Sequence, residues 1–168
     1  RGRWIGSGMN RVLDAVVGGW TISNILTYQT GQPIAVGMSQ PNLADGNQRP
    51  NVVCAPASGV GAHQSALTGA STFNVDCFAD PGDQQAGNAP RYFSNLRTDG
   101  IQNIDVAFSK SFTPREGMKI ELRGEFFNAF NTPRFAVPDA FFGDSTFGVV
   151  SSSLGSPRHG QLGVRFEF

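Results

Sequence analysis

Strand-type alternation is the clearest order in this chain, and it is concentrated near the two ends. Residues 20–30 (WTISNILTYQT) put Trp20, Ile22, Leu26 and Tyr28 on one face, with Asn24 the exception. Thr21, Ser23, Thr27 and Gln29 take the other face, with Ile25 the exception. Period two over this length predicts a strand. From 103 the pattern returns, with Ile104, Val106, Phe108 and Phe112 set against Asp105, Ala107, Ser109 and Ser111. Residues 118–127 alternate most sharply: Met118, Ile120, Leu122, Gly124 and Phe126 oppose Lys119, Glu121, Arg123 and Glu125. TPREG (113–117) between them predicts a tight turn, so these two strands should form a hairpin. A further strand is expected over 147–151, with a turn over 152–157. The last segment, 160–168 (GQLGVRFEF), sets Leu162, Val164, Phe166 and Phe168 against Gln161, Gly163, Arg165 and Glu167.

The rest of the chain is less regular. Residues 1–10 are basic and Gly-rich, suiting a loop or an incoming strand end. In 10–17, Leu13, Val16 and Val17 share a helical face, giving at most two turns before Gly18-Gly19, or else extended chain. Residues 31–102 carry Gly31, Pro33, Pro41, Pro50, Pro56, Pro81, Pro90 and many Asn, Asp and Gln. Only 33–36, 51–53 and 72–75 are apolar enough for brief strands. So long an irregular stretch is unusual inside a compact soluble domain, whereas large outer loops of a membrane barrel would account for it. NAFN (128–131) with Pro133 should end a strand, and a Phe-rich connection (Phe135, Phe141, Phe142) follows. The fold class expected is all-β, with antiparallel amphipathic strands of outer-membrane-barrel type forming a partial barrel, a small barrel or a sheet. The chain reads as one segment: a first strand region (1–30), a long loop region (31–102) and the late antiparallel strands (103–168).

Composition narrows the class. The 168 residues include 21 Gly and 14 Phe, only 15% are charged, and the formal net charge is zero. Balanced charge argues against a nucleic-acid partner. Sparse charge with abundant Phe argues against disorder. No apolar run approaches the roughly 18–20 residues of a membrane helix. Transmembrane β-strands fit such a sequence, because only every second residue meets lipid. Trp20 and Tyr28 stand about 26 Å apart along an extended strand, the spacing of two interfacial aromatic belts. Alternation then assigns Trp20, Ile22, Leu26, Tyr28, Phe108, Leu122, Phe126 and Val164 to lipid or a partner surface. Lys119, Glu121, Arg123 and Glu125 become lumen-type charges that pair across strands. The chain opens with Arg1 rather than Met and shows no signal peptide, so a fragment or a processed product is expected.

Candidate chemistry is thin. Cys54 and Cys77 lie 23 positions apart in polar, loop-like surroundings, which points to a disulfide in an oxidising compartment. Such a bridge is worth about 3 kcal/mol by the chain-entropy model. His63 and His159 both sit in turn-like contexts, and no nucleophile-elbow, metalloprotease, P-loop or dinucleotide pattern occurs. Asp76, Asp80 and Asp83 do not have the spacing of an EF-hand. No enzyme activity, cofactor or metal is expected.

The closing residues QLGVRFEF match polar–x–Gly–x–x–aromatic–x–aromatic at Gln161, Gly163, Phe166 and Phe168. This resembles the signal by which barrel assembly machinery recognises the final strand of bacterial outer-membrane proteins, a form of β-augmentation. Longer stretches resemble one family in the same order: GGWTISNILTYQTGQPIAV, NQRPNVV, GNAPR, NIDVAFSKSF, ELRGEFFNAFNTPRF and FGVVSSSLGSPRHGQLGVRFEF. They are similar to the C-terminal barrel end of TonB-dependent outer-membrane receptors, in particular the Oar-like branch with a carboxypeptidase-regulatory-like domain, common in acidobacteria. The resemblance implies a 22-stranded barrel, an internal plug, energy supplied through TonB, and uptake or binding of a scarce nutrient. It also implies a periplasmic C-terminus. Counting strands back from there puts 113–117 outside and 128–144 on the periplasmic side.

This chain has neither plug nor TonB box, and five strands cannot close a 22-stranded wall. Open strand edges and a greasy face need cover. Cover comes from the rest of a receptor barrel, from closure as a small barrel, or from copies of the chain joined into an extracellular filament.

Overall fold

The computed structural model describes residues 16–44 and 46–168. The expected helix over 10–17 therefore lies largely outside the described residues; Val16 and Val17 are helical and lead into a turn at Gly18-Gly19. The first strands in chain order are β1 (Trp20–Gln29), β2 (Pro33–Ile34), β3 (Gly37–Met38), β4 (Asn51–Val52), β5 (Phe78–Ala79) and β6 (Phe93–Arg97). They are followed by β7 (Ile101–Arg115), β8 (Met118–Phe127), β9 (Arg134–Phe135), β10 (Phe141–Phe142), β11 (Ser153–Leu154) and β12 (His159–Glu167). A short α-helix, α1 (Ala62–Thr68), and a single 3-10 turn (Val75–Cys77) lie between β4 and β5. The chain divides into two compact units.

The first unit holds residues up to Thr27, Asn103–Thr132 and Ser156–Phe168. Its centre is an open sheet in the order β1-β7-β8-β12. β7 and β8 form the expected hairpin, but the turn is only Glu116-Gly117, with Arg115 opposite Met118 and Gly117 at φ 79°. The sequence TPREG looked like a longer turn because of Pro114. The strand instead carries Pro114 through a register shift between Phe112 and Arg115, where a missing N–H is tolerated. β12 pairs antiparallel with β8 from His159↔Phe127 to Glu167↔Lys119.

This register reverses the strand count made from the sequence. Lys119 and Glu167 share the end of the sheet that carries the Glu116-Gly117 turn, so Phe168 lies at that end too. The connections running from β8 to β12 and from β1 to β7 leave from the opposite end. The miscount came from 147–151, which is not a strand. Gly148 N donates to Asp139 O (2.7 Å), Asp139 N to Val149 O (2.9 Å) and Val149 N to Thr146 O (2.8 Å), with Gly148 at φ 83°. Its apolar residues are there to be buried: Phe147 and Val150 are core residues.

The second unit holds Tyr28–Gln102 and Pro133–Gly155. The long irregular region is thus not a set of loose loops. Ile34, Val36, Phe73, Cys77, Phe78, Ala89, Phe93, Leu96 and Phe147 form a buried core. Four two-stranded pairs surround it, β2–β6, β3–β10, β4–β5 and β9–β11. Residues 33–36 and 51–53 contribute β2 and β4, while 72–75 supplies a bridge from Phe73 to Ser58 and the start of the 3-10 turn at Val75. Edge-to-face Phe pairs hold the centre, with ring centroids 5.3 Å apart for Phe73–Phe147 and 5.6 Å for Phe78–Phe93. Buried Gln48 ties two hairpin-like segments together. Its Oε1 accepts from Asn42 N at 2.9 Å, and its Nε2 donates to Gln85 O at 2.8 Å. Gly87 is required by packing: a Cβ there would lie 1.9 Å from Arg49 O.

Candidate functional site

The sheet of the first unit is two-faced. Directly paired residues share a face, so the register lines up Val106–Phe126–Gly160, Phe108–Gly124–Leu162, Lys110–Leu122–Val164 and Phe112–Ile120–Phe166. Trp20 joins this face through an edge-on contact with Phe108, at 6.4 Å between centroids. Ile22, Leu26 and Tyr28 follow it at intervals of two along β1. Gly124 leaves the space that Phe108 occupies, since a Cβ there would meet the Phe108 ring at 2.7 Å. No described element packs over the face. Every residue of β1 is exposed, as is all of β12 up to Phe166, with Leu162 at 86% and Phe168 fully so.

Lys110 lies on the apolar face, a placement its parity with Phe108 and Phe112 carries and that charge alone would not suggest. Its Nζ donates to Val16 O (3.0 Å) and stands 5.4 Å from the centre of the Trp20 ring. Trp20 Nε1 donates to the same carbonyl (3.0 Å). Cation and indole thus share one anchor point beside apolar neighbours, as long amphipathic side chains do at an interface.

The opposite face carries a ladder of charge. Ser109–Arg123–Gly163, Ser111–Glu121–Arg165 and Lys119–Glu167 are directly paired positions. Arg123 Nε donates to Glu125 Oε1 at 2.8 Å, and Gln161 donates to the other oxygen of Glu125. Lys119 and Arg165 both reach Glu167, at 3.8 and 3.0 Å. Lys119, Glu121, Arg123 and Glu125 are therefore brought together on one face. Of the closing-motif residues, Gln161 is held by Glu125, and Gly163 has open space where a Cβ would stand. Phe166 lies on the apolar face.

At the turn beyond β8, Asn128 and Asn131 adopt left-handed backbone (φ 49° and 52°), which Asn tolerates better than most residues. Asn128 N donates to Asp105 Oδ1 at 2.9 Å, Asn128 Oδ1 accepts from Thr132 N at 2.8 Å, and Asn131 Oδ1 accepts from Arg158 N at 3.1 Å. The NAFN stretch is a built corner joining β7, β8 and the approach to β12.

In the second unit Cys54 and Cys77 form the expected disulfide, with Cα atoms 4.8 Å apart. Cys77 is fully buried in the core. His63 lies in α1 and His159 begins β12, stacked on Phe127 at 4.8 Å, so neither is in a turn. Asp80 Oδ1 accepts from Gly82 N and Asp83 Oδ1 from Asn42 Nδ2. Among the described residues no three His, Cys, Asp or Glu side chains gather as metal ligands.

A family model for an outer membrane beta barrel domain matches residues 1–161. The chain belongs to this outer-membrane β-barrel family. Its two-faced sheet is accordingly part of a barrel wall, and its place is the outer membrane. The absence of an apolar helix long enough to cross a membrane says nothing against a wall that crosses with strands. No curated protein and no solved structure matches the chain.

Proposed function

We propose that this barrel segment forms late wall strands of a TonB-dependent receptor of the Oar-like type, which takes up or binds a scarce nutrient and catalyses no reaction. One observation supports the reading: β7 and β8 join by a two-residue turn, whereas the connections from β1 to β7 and from β8 to β12 run through a folded, disulfide-stapled unit. Outer-membrane barrels have that asymmetry, with short periplasmic turns and large extracellular elaborations. The apolar face then meets lipid through Trp20, Ile22, Leu26, Tyr28, Phe108, Leu122, Phe126 and Val164. Lys119, Glu121, Arg123 and Glu125 face the lumen. The Glu116-Gly117 turn and Phe168 lie on the periplasmic side, and the barrel assembly machinery reads Gln161, Gly163, Phe166 and Phe168. Remaining wall strands cover the edges of β1 and β12 that are unpaired among the described residues.

The same two edges support a second reading, in which copies of the chain pair edge to edge into an extracellular filament. Electron microscopy of native material and an uptake assay separate the two. Cells making the receptor should deplete at least one scarce solute only when TonB is present, and their membranes should hold discrete particles. Regular fibres, or depletion indifferent to TonB, would displace the receptor reading.

A further inference from the structure

We propose that Cys54 is a thiol-exchange site, at which a small dithiol opens the Cys54–Cys77 bridge while the second unit stays folded and Cys77 departs as a sealed thiol. The site lies wholly within that unit and does not depend on the transport reading.

The two halves of the bridge differ in access. Cys77 has no exposed surface and belongs to the buried core with Phe73, Phe78 and Phe93. Cys54 is an exposed residue. Thiol–disulfide exchange proceeds by attack of a thiolate on one sulfur while the other sulfur departs. The attacking and departing groups lie on opposite sides of the attacked sulfur. Attack at Cys77 would have to come through the core. Attack at Cys54 leaves the departing sulfur on the buried side, so the nucleophile approaches from solvent.

Backbone pairing on both sides of the bridge holds the two residues together without help from the sulfurs. Before it, β4 pairs with β5 through Val52↔Phe78, and Val53 N donates to Cys77 O at 2.9 Å. After it, Asn74 N donates to Ala57 O at 2.9 Å, Gly59 N donates to Thr72 O at 2.7 Å, and Ser58 bridges to Phe73. Cys77 closes the 3-10 turn begun at Val75, whose Asp76 N donates to Asn74 Oδ1 at 3.0 Å. A thiol left in an apolar core packs as a small hydrophobe. Opening the bridge therefore leaves the core filled and the pairing intact, and removes a covalent tie from the loop that carries α1.

The exchange balances with a dithiol alone. Its first thiolate bonds to Cys54 Sγ as the bond to Cys77 Sγ breaks, and the electron pair leaves on Cys77, which takes a proton from water. Its second thiolate attacks the sulfur of its own first arm and releases Cys54 as a thiolate. The dithiol ends as a cyclic disulfide and the protein as two thiols. A monothiol reaches only the mixed disulfide on Cys54, and Cys77 reverses it.

The test applies dithiothreitol to the intact protein in lipid nanodiscs, with acid quenching at intervals and thiols counted by mass. Opening should be first order in dithiothreitol. Its rate should change by less than about threefold between zero and about 2 M urea, because attack on the folded unit exposes no new surface. A rate that levels off with dithiothreitol, or a larger rise in urea, would mean that the unit must unfold first and would overturn the proposal. In a second measurement, Cys77→Ala and Cys54→Ala are each given oxidised glutathione. Cys54 should take up glutathione at least about tenfold faster than Cys77. A smaller difference between folded variants would overturn the assignment to Cys54; if either variant does not fold, the urea dependence of the parent decides the matter.

Discussion

Single residues settle where this chain bends and where it closes up. Asn128 and Asn131 were legible in the sequence only as a strand-ending NAFN; the structure shows both in left-handed backbone and both bonded through their amide oxygens. Asn128→Ala should lose the left-handed tolerance and the bond to Thr132, destabilising the sheet by about 1–2 kcal/mol. Urea unfolding in lipid vesicles, compared with the parent, checks this. Gly87 is a sharper case. A Cβ 1.9 Å from a backbone oxygen cannot be relieved by a side-chain rotation. Gly87→Ala should cost more than about 2 kcal/mol and loosen the second unit first. Hydrogen exchange at 48–53 and 85–89 should rise while exchange in β8 stays unchanged; uniform protection throughout would refute this. Neither role could be read from the sequence, because a glycine's reason is the neighbour it faces.

At the scale of elements, period-two patterning identified β1, β8 and β12 to within a residue, and β7 short by two residues at its start and three at its end. Alternation is what an amphipathic wall strand must show, whatever its partners. The pattern failed where burial is two-sided. Residues 147–151 are apolar because Phe147 and Val150 enter a core, and β6 passed unnoticed because Phe93 and Leu96 are buried three apart within a polar stretch. Phe is divided in the same way. Of 14 Phe, seven (73, 78, 93, 135, 141, 142 and 147) belong to the second unit rather than to the wall. The disulfide was readable, since only two cysteines exist, but its setting was not: Cys77 is at the centre of the core rather than in a loop. Cys54→Ser should therefore destabilise the second unit by about 3 kcal/mol. Limited proteolysis should cut within 51–97 of the variant and spare β8 and β12. Resistance equal to that of the parent would show the core to be sufficient without the bridge.

For the whole molecule, the sequence supplied the class and the structure supplied the register. The strand count from sequence put the 113–117 turn outside. The observed register puts it beside Phe168, with every long connection at the opposite end. The apparent excess of loop is a second folded unit, through which the chain passes between wall strands. The family match fixes the membrane, and the register is what supports the proposed periplasmic turn.

The most direct measurement is labelling of single added cysteines with a membrane-impermeant maleimide in intact cells. The native pair is bridged and stays silent. Leu67→Cys on α1, at a site 73% exposed, should label in intact cells. Glu116→Cys in the two-residue turn should label only after the outer membrane is permeabilised. Labelling of Glu116→Cys in intact cells, with or without that of Leu67→Cys, would contradict the account.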